Sequence, residues 1–123
     1  MEIGDIGETP LIPFVSDDAI PIAKKSLINF GNSLGSPICY KQEQGGQLIQ
    51  HIIPVFKTEY GQISTSSKTN LELHTETAFH PYKPSYVLLL CLRGDKNAVT
   101  TYANVEDIVE KLSPESIEML NKP

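Results

Sequence analysis

Hydrophobic positions fall into two periods along the chain, and the switch between them predicts its elements. Leu48-Ile49-Gln50-His51-Ile52-Ile53-Pro54-Val55 alternates well enough to predict a strand over 48–53, closed by proline, with His51 on the face shared by Ile49 and Ile53. Shorter β-patterned runs predict strands at 37–41, 71–78 and 99–102. The continuous run Tyr86-Val87-Leu88-Leu89-Leu90-Cys91-Leu92 predicts a strand over 85–92 buried on both faces. Helical spacing takes over elsewhere. Ser16, Asp17 and Asp18 are N-cap candidates for a helix with Pro21 in its first turn, carrying Ile22, Ser26, Ile28, Asn29, Phe30 and Leu34, and ending in the Gly31 to Gly35 stretch. Asn104 caps a second helix through Val105, Ile108, Val109 and Leu112, and Ser113-Pro114-Glu115 opens a third, with serine as cap and proline at the first helical position.

Turn chemistry separates these elements. Gln44-Gly45-Gly46-Gln47, Pro81-Tyr82-Lys83-Pro84 and Arg93-Gly94-Asp95-Lys96-Asn97 read as turns, and residues 58–70, rich in Ser, Thr, Gln and Gly, read as a polar loop beside the 71–78 strand. Residues 1–16 form an irregular lead-in. Strands segregated from helices predict an α+β class in preference to a doubly wound parallel sheet. With 123 residues the chain holds a single domain, or a fragment of one.

Ten basic against fifteen acidic residues give a net charge of −5, which argues against nucleic acid or an anionic membrane as partner. The longest apolar run is too short for a membrane span and the N-terminus lacks a secretory layout, so the chain reads as cytoplasmic. Two cysteines, Cys39 and Cys91, both in strand-like runs, read as small buried thiols.

Candidate chemistry concentrates in Leu71-Glu72-Leu73-His74-Thr75-Glu76-Thr77-Ala78-Phe79-His80-Pro81. On an extended backbone, positions i and i+2 share a face, so His74 and Glu76 project together. An imidazole and a carboxylate make two thirds of the facial triad that holds non-heme Fe(II) and leaves positions open for substrate and dioxygen. A His-x-Glu triplet on its own is more often a surface strand pair, and the residues around it carry the argument further. No His-Glu-x-x-His helix, Cys-x-x-Cys pair, nucleophile elbow or Gly-rich phosphate loop competes with this reading.

The run from Leu73 to Asp95, Leu-His-Thr-Glu-Thr-Ala-Phe-His-Pro-Tyr-Lys-Pro-Ser-Tyr-Val-Leu-Leu-Leu-Cys-Leu-Arg-Gly-Asp, closely resembles the metal-binding region of the clavaminate synthase-like oxygenases. These are the Fe(II)/2-oxoglutarate branch near the taurine dioxygenases that includes asparagine and arginine hydroxylases. The likeness extends upstream through Leu34-Gly35-Ser36-Pro37 and Gln62-Ile63-Ser64-Thr65-Ser66-Ser67, and downstream through Val99-Thr100-Thr101-Tyr102-Ala103. It covers about residues 27 to 115 and is long enough to be specific.

The resemblance implies that His74 and Glu76 are metal ligands, that Thr101, with Thr100 as the alternative register, contacts a 2-oxoglutarate carboxylate, and that Gln62 and Ser64 face the substrate. It implies a jelly-roll-like double-stranded β-helix, of which this chain would hold the first strands, flanked by N-terminal and C-terminal helices. It also implies Fe(II) and 2-oxoglutarate as cofactors, and hydroxylation of an amino acid or a molecule derived from one.

The family pattern further demands a distal histidine and an oxoglutarate-binding arginine well beyond the His-x-Glu motif. The remaining histidines, His51 and His80, precede or crowd the motif. The single arginine, Arg93, closes the apolar run, where a local ion pair is expected. No catalytic residue is therefore assigned, and the chain alone is expected to be inactive. Two readings remain. One is the N-terminal half of an oxygenase whose C-terminal half is missing; the other is a non-enzymatic remnant acting as a protein-interaction or oligomerising β-domain, since unpaired strand edges favour association or a homo-oligomer.

Overall fold

The computed structural model describes residues 6–11 and 20–122 and divides the chain into two units, Met1–Arg93 and Gly94–Pro123. In the first unit, helix α1 spans Pro21–Leu34. Pro21 sits at its start, where a missing N–H costs nothing, and the Gly35 amide donates to the Gly31 carbonyl at its end. Ile20 at the N-cap is left-handed and gives no side-chain cap; the expected caps Ser16, Asp17 and Asp18 lie outside the described residues.

The inward face of α1 differs from the one its large residues predict. Ala23, only 1 % exposed, is the buried core residue of the described chain, and Leu27 and Gly31 continue its stripe at four-residue spacing, while Ile22, Phe30 and Leu34 are exposed. The small residues face inward because they let the helix approach the Pro37 and Leu88 side chains. A Cβ at Gly31 would meet Leu88 Cδ1 at 3.6 Å and Pro37 Cγ at 3.5 Å.

Among the described residues no segment pairs into a β-ladder, so the runs at 37–41, 48–53, 71–78, 85–92 and 99–102 are not strands by hydrogen bonding. Their side-chain period survives in two of them. Ile49, His51, Ile53 and Val55 are half-buried while Leu48, Gln50 and Ile52 are exposed. Likewise Leu88, Leu90 and Leu92 are half-buried while Val87, Leu89 and Cys91 are exposed. The 86–92 run is thus covered on one face by α1 instead of on both, and both cysteines are exposed free thiols instead of buried ones. The cause is common: period-2 patterning selects faces, but burial of the second face requires a neighbouring layer.

Turns and caps follow local chemistry. Gly45 and Gly46 have φ of 71° and 77° in a 3₁₀ turn at Gln44–Gly46, a conformation that glycine adopts without a Cβ penalty. The polar stretch from Val55 to Lys68 closes on itself. The Val55 amide donates to the Thr65 carbonyl (3.0 Å), the Lys68 amide to the Glu59 carbonyl (2.8 Å), and the Thr58 and Thr65 hydroxyls meet at 2.8 Å. Lys68 also pairs with Glu59 at 2.9 Å, which raises the lysine above its ordinary value. Arg93 donates to the Ile6 carbonyl at 3.5 Å and forms no ion pair among the described residues.

In the second unit the Asp95 side chain accepts from the Asn97 amide at 2.8 Å, making an Asx turn. Helix α2, Val105–Val109, starts where the Asn104 side chain accepts from the Glu106 amide at 3.3 Å. Helix α3, Pro114–Leu120, starts where the Ser113 hydroxyl accepts from the Ser116 amide at 3.2 Å, with Pro114 in the first turn.

Candidate metal-ligand pair

His74 and Glu76 meet: Nε2 of the imidazole lies 3.2 Å from Oε1 of the carboxylate. Both side chains are about half exposed, at 50 % and 56 %. The other ring nitrogen, Nδ1, lies 2.7 Å from the Glu72 carbonyl. A carbonyl can only accept, so Nδ1 carries the proton and the neutral ring presents the Nε2 lone pair to the carboxylate. Two acceptors face one another in that state. A proton on Nε2 or a cation between the two groups resolves the conflict, and the imidazole is held above its ordinary value, first by the Glu72 carbonyl and then by the Glu76 carboxylate.

Beyond Glu76 the backbone turns back. Thr77 has φ of 46°, a left-handed conformation that costs a β-branched residue roughly 1–2 kcal/mol, and its carbonyl accepts from the His80 amide at 2.9 Å. His80 is engaged locally, with Nδ1 accepting from the Tyr82 amide at 3.1 Å and its ring 4.6 Å from that of Tyr40. Tyr40 in turn donates to the Tyr82 carbonyl at 2.7 Å.

The pair fits a metal in two respects. Ligands adjacent on a common ion at bond lengths of ~2.1 Å stand about 3 Å apart, close to the observed separation. A ligating histidine also anchors its second nitrogen on a carbonyl or carboxylate, as Nδ1 does here. Among the described residues, no third His, Cys, Asp or Glu joins them in a group able to hold an ion.

Two other expected site residues, Ser64 and Gln62, belong to the same unit as this pair. Ser64 is exposed in the Val55–Lys68 loop. Gln62, in the same loop, accepts the Glu72 amide on Oε1 and donates from Nε2 to the Asn70 carbonyl, each at 3.0 Å. Thr101 and Thr100 are exposed in the second unit, ahead of α2.

Comparison with known proteins places this geometry in context. The L-lysine 3-hydroxylase of Catenulispora acidiphila is 38% identical over 99 residues, covering 80% of this chain and 27% of that protein. The L-asparagine oxygenase of Streptomyces coelicolor is 37% identical over 92 residues, 73% of this chain and 27% of its own length. Clavaminate synthase 2 of Streptomyces clavuligerus is 32% identical over 97 residues, 74% of this chain and 29% of that protein. The chain belongs to the clavaminate synthase-like oxygenase family.

It spans about a quarter of the length of these curated relatives. No family model matches the chain, and no solved structure matches it. For a clavaminate synthase-like chain, the sequence points to His74 and Glu76 through their spacing, whereas the Glu72 carbonyl that fixes the imidazole carries no side-chain signal. The engagement of both ends of the Gln62 amide with backbone is likewise invisible in the residue pattern.

Proposed function

We propose that this chain carries the His74 and Glu76 part of an Fe(II)/2-oxoglutarate centre for hydroxylating a free or carrier-bound amino acid. The observation that supports it most is the 3.2 Å approach of His74 Nε2 to Glu76 Oε1, with Nδ1 anchored on Glu72. The substrate class follows from the relatives, whose names include lysine, asparagine, and ornithine or arginine. Bound iron with 2-oxoglutarate supplies the oxidation of an unactivated C–H bond by dioxygen, with 2-oxoglutarate leaving as succinate and carbon dioxide.

The chain's own residues hold and orient. His74 and Glu76 ligate; Thr101, or Thr100, offers a hydroxyl to a 2-oxoglutarate carboxylate; Ser64 and the unused N–H and lone pair of Gln62 face the amino acid. These positions belong to a jelly-roll-like double-stranded β-helix, whose first strands the extended runs at 48–53 and 86–92 would form once paired. A cytoplasmic setting suits the two exposed thiols, which stay reduced there.

Two protein ligands hold iron weakly and control dioxygen poorly, so the isolated chain is expected to form little succinate from 2-oxoglutarate. Anaerobic titration with Fe(II) and 2-oxoglutarate tests the ligand assignment. A weak visible charge-transfer band that disappears in His74→Ala supports it; a folded chain with no band, or a band indifferent to His74, refutes it.

A second reading, a non-enzymatic interaction or oligomerising β-domain, is favoured by the outward apolar residues Tyr86 and Leu89, 64 % and 71 % exposed. A chain that associates through them without binding metal would fit this reading alone.

A further inference from the structure

The backbone that carries the ligand pair is held by neither a ladder nor packing. Among the described residues, segment 70–75 makes no backbone–backbone hydrogen bond, and Leu73 beside His74 is 65 % exposed. Yet the Glu72 carbonyl must stand at one place to receive the His74 Nδ1–H at 2.7 Å. What restrains it is a side chain. The Gln62 amide brackets Leu71, accepting from the Glu72 N–H and donating to the Asn70 carbonyl, each at 3.0 Å.

We propose that Gln62 is a positioning residue: its carboxamide staples residues 70–72 so that the Glu72 carbonyl fixes the His74 ring with Nε2 turned toward Glu76. This rests on the reading of His74 and Glu76 as metal ligands. The chain of contacts runs from the loop to the imidazole. The loop base is closed by the Val55–Thr65 and Lys68–Glu59 backbone bonds, and the Ser66 hydroxyl donates to the Glu59 carbonyl at 2.8 Å. From that base Gln62 reaches the N–H of Glu72, the residue whose carbonyl, in the next peptide unit, holds Nδ1. Two bonds from one planar amide hold the peptide units on either side of Leu71, and the one to the Glu72 N–H lies next to the unit whose carbonyl receives the Nδ1–H. The amide keeps one N–H and one lone pair for a ligand, so the staple and a substrate contact coexist.

Two readouts on the full chain test this. The first is the ¹⁵N shift pair of the His74 ring at a pH above the imidazole range, which distinguishes the Nδ1–H from the Nε2–H tautomer without any metal. The second is affinity for Co(II), used as the probe ion, by calorimetry. The parent chain should hold the Nδ1–H tautomer. Gln62→Leu removes both bonds and should move His74 toward the Nε2–H tautomer and weaken Co(II) about tenfold, the lower end of the effect of losing a partner that orients a ligand. Gln62→Glu keeps the acceptor for the Glu72 amide and should retain the tautomer, while Ser67→Ala, an exposed neighbour, should change nothing.

An unchanged tautomer and unchanged Co(II) affinity in Gln62→Leu overturn the proposal. If that variant loses its helical signal in circular dichroism, Gln62→Glu decides: a folded Gln62→Glu chain that has lost the Nδ1–H tautomer overturns it as well. A parent chain that binds no Co(II) but shows the Gln62-dependent tautomer refutes the ligand reading and leaves the staple supported.

Discussion

A hydrogen bond between a ring nitrogen and a carbonyl decides what His74 can do. The Glu72 carbonyl, and after it the Glu76 carboxylate, favour the charged imidazolium, so the folded chain binds its proton more tightly than the unfolded one. Whatever stability this pair contributes is fully present below the unfolded histidine value and is lost as pH rises through the raised folded value. Metal binding runs the other way, because a ligand must give up that proton. An NMR titration of the metal-free chain should therefore place the His74 midpoint above the ordinary histidine value. Glu76→Gln should bring it part of the way down and no further, since the Glu72 carbonyl remains. A midpoint indifferent to Glu76→Gln would contradict the 3.2 Å contact. At this scale the sequence was informative about side chains and silent about backbone: alternation on an extended segment brings His74 and Glu76 to one side, but no residue type announces that the carbonyl of Glu72 will be the anchor. Nor does alternation foresee that Thr77 turns left-handed immediately after the pair, because that conformation is set by the His80-to-Thr77 closure and not by preference.

Helices were legible where their signals are local and obscure where they depend on a neighbour. Asn104 and Ser113 mark the starts of α2 and α3 because a cap is a contact between residues two or three apart. The inward face of α1 was not legible from its large residues, since the side chains with most surface to bury, Phe30 among them, yield to Ala23 and Gly31 where the helix closes on Leu88. The caps make α3 testable by itself. Ser113→Ala should destabilise it by about 1 kcal/mol and speed hydrogen exchange at the Ser116 amide, leaving α1 exchange unchanged. Glu115 in the first turn is held below the ordinary glutamate value, first by its own backbone amide and then by the Ser113 hydroxyl. Its contribution is present above the unfolded carboxyl value and is lost as pH falls through the lowered folded value, so α3 should fray on acidification through that window. The Ser113→Ala chain, lacking one of the two partners, should show its Glu115 midpoint closer to ordinary. An unchanged midpoint would mean that the serine caps α3 without touching Glu115.

For the whole molecule, the decisive property is how little apolar surface finds cover. Ala23 is the buried core residue of the described chain, while Leu89, Phe79 and Tyr86 stand out in solvent. Patterning alone could predict that Leu88 and Leu90 share a face, because period 2 is intrinsic to extended backbone; it could not predict whether a second layer covers Val87 and Leu89, because that is a matter of partners. Unpaired extended backbone with an apolar outer face associates, through both its free amides and its side chains. Sedimentation should therefore show a weight-average mass that rises with concentration. The double substitution V87K/L89K tests the source, since both residues are exposed: it should shift the chain toward monomer while the helical signal persists. Leu88→Lys, half-buried and beside Gly31 of α1, should instead weaken the helical signal, because a charge there loses part of its hydration. Association that survives V87K/L89K unchanged would assign it to another surface.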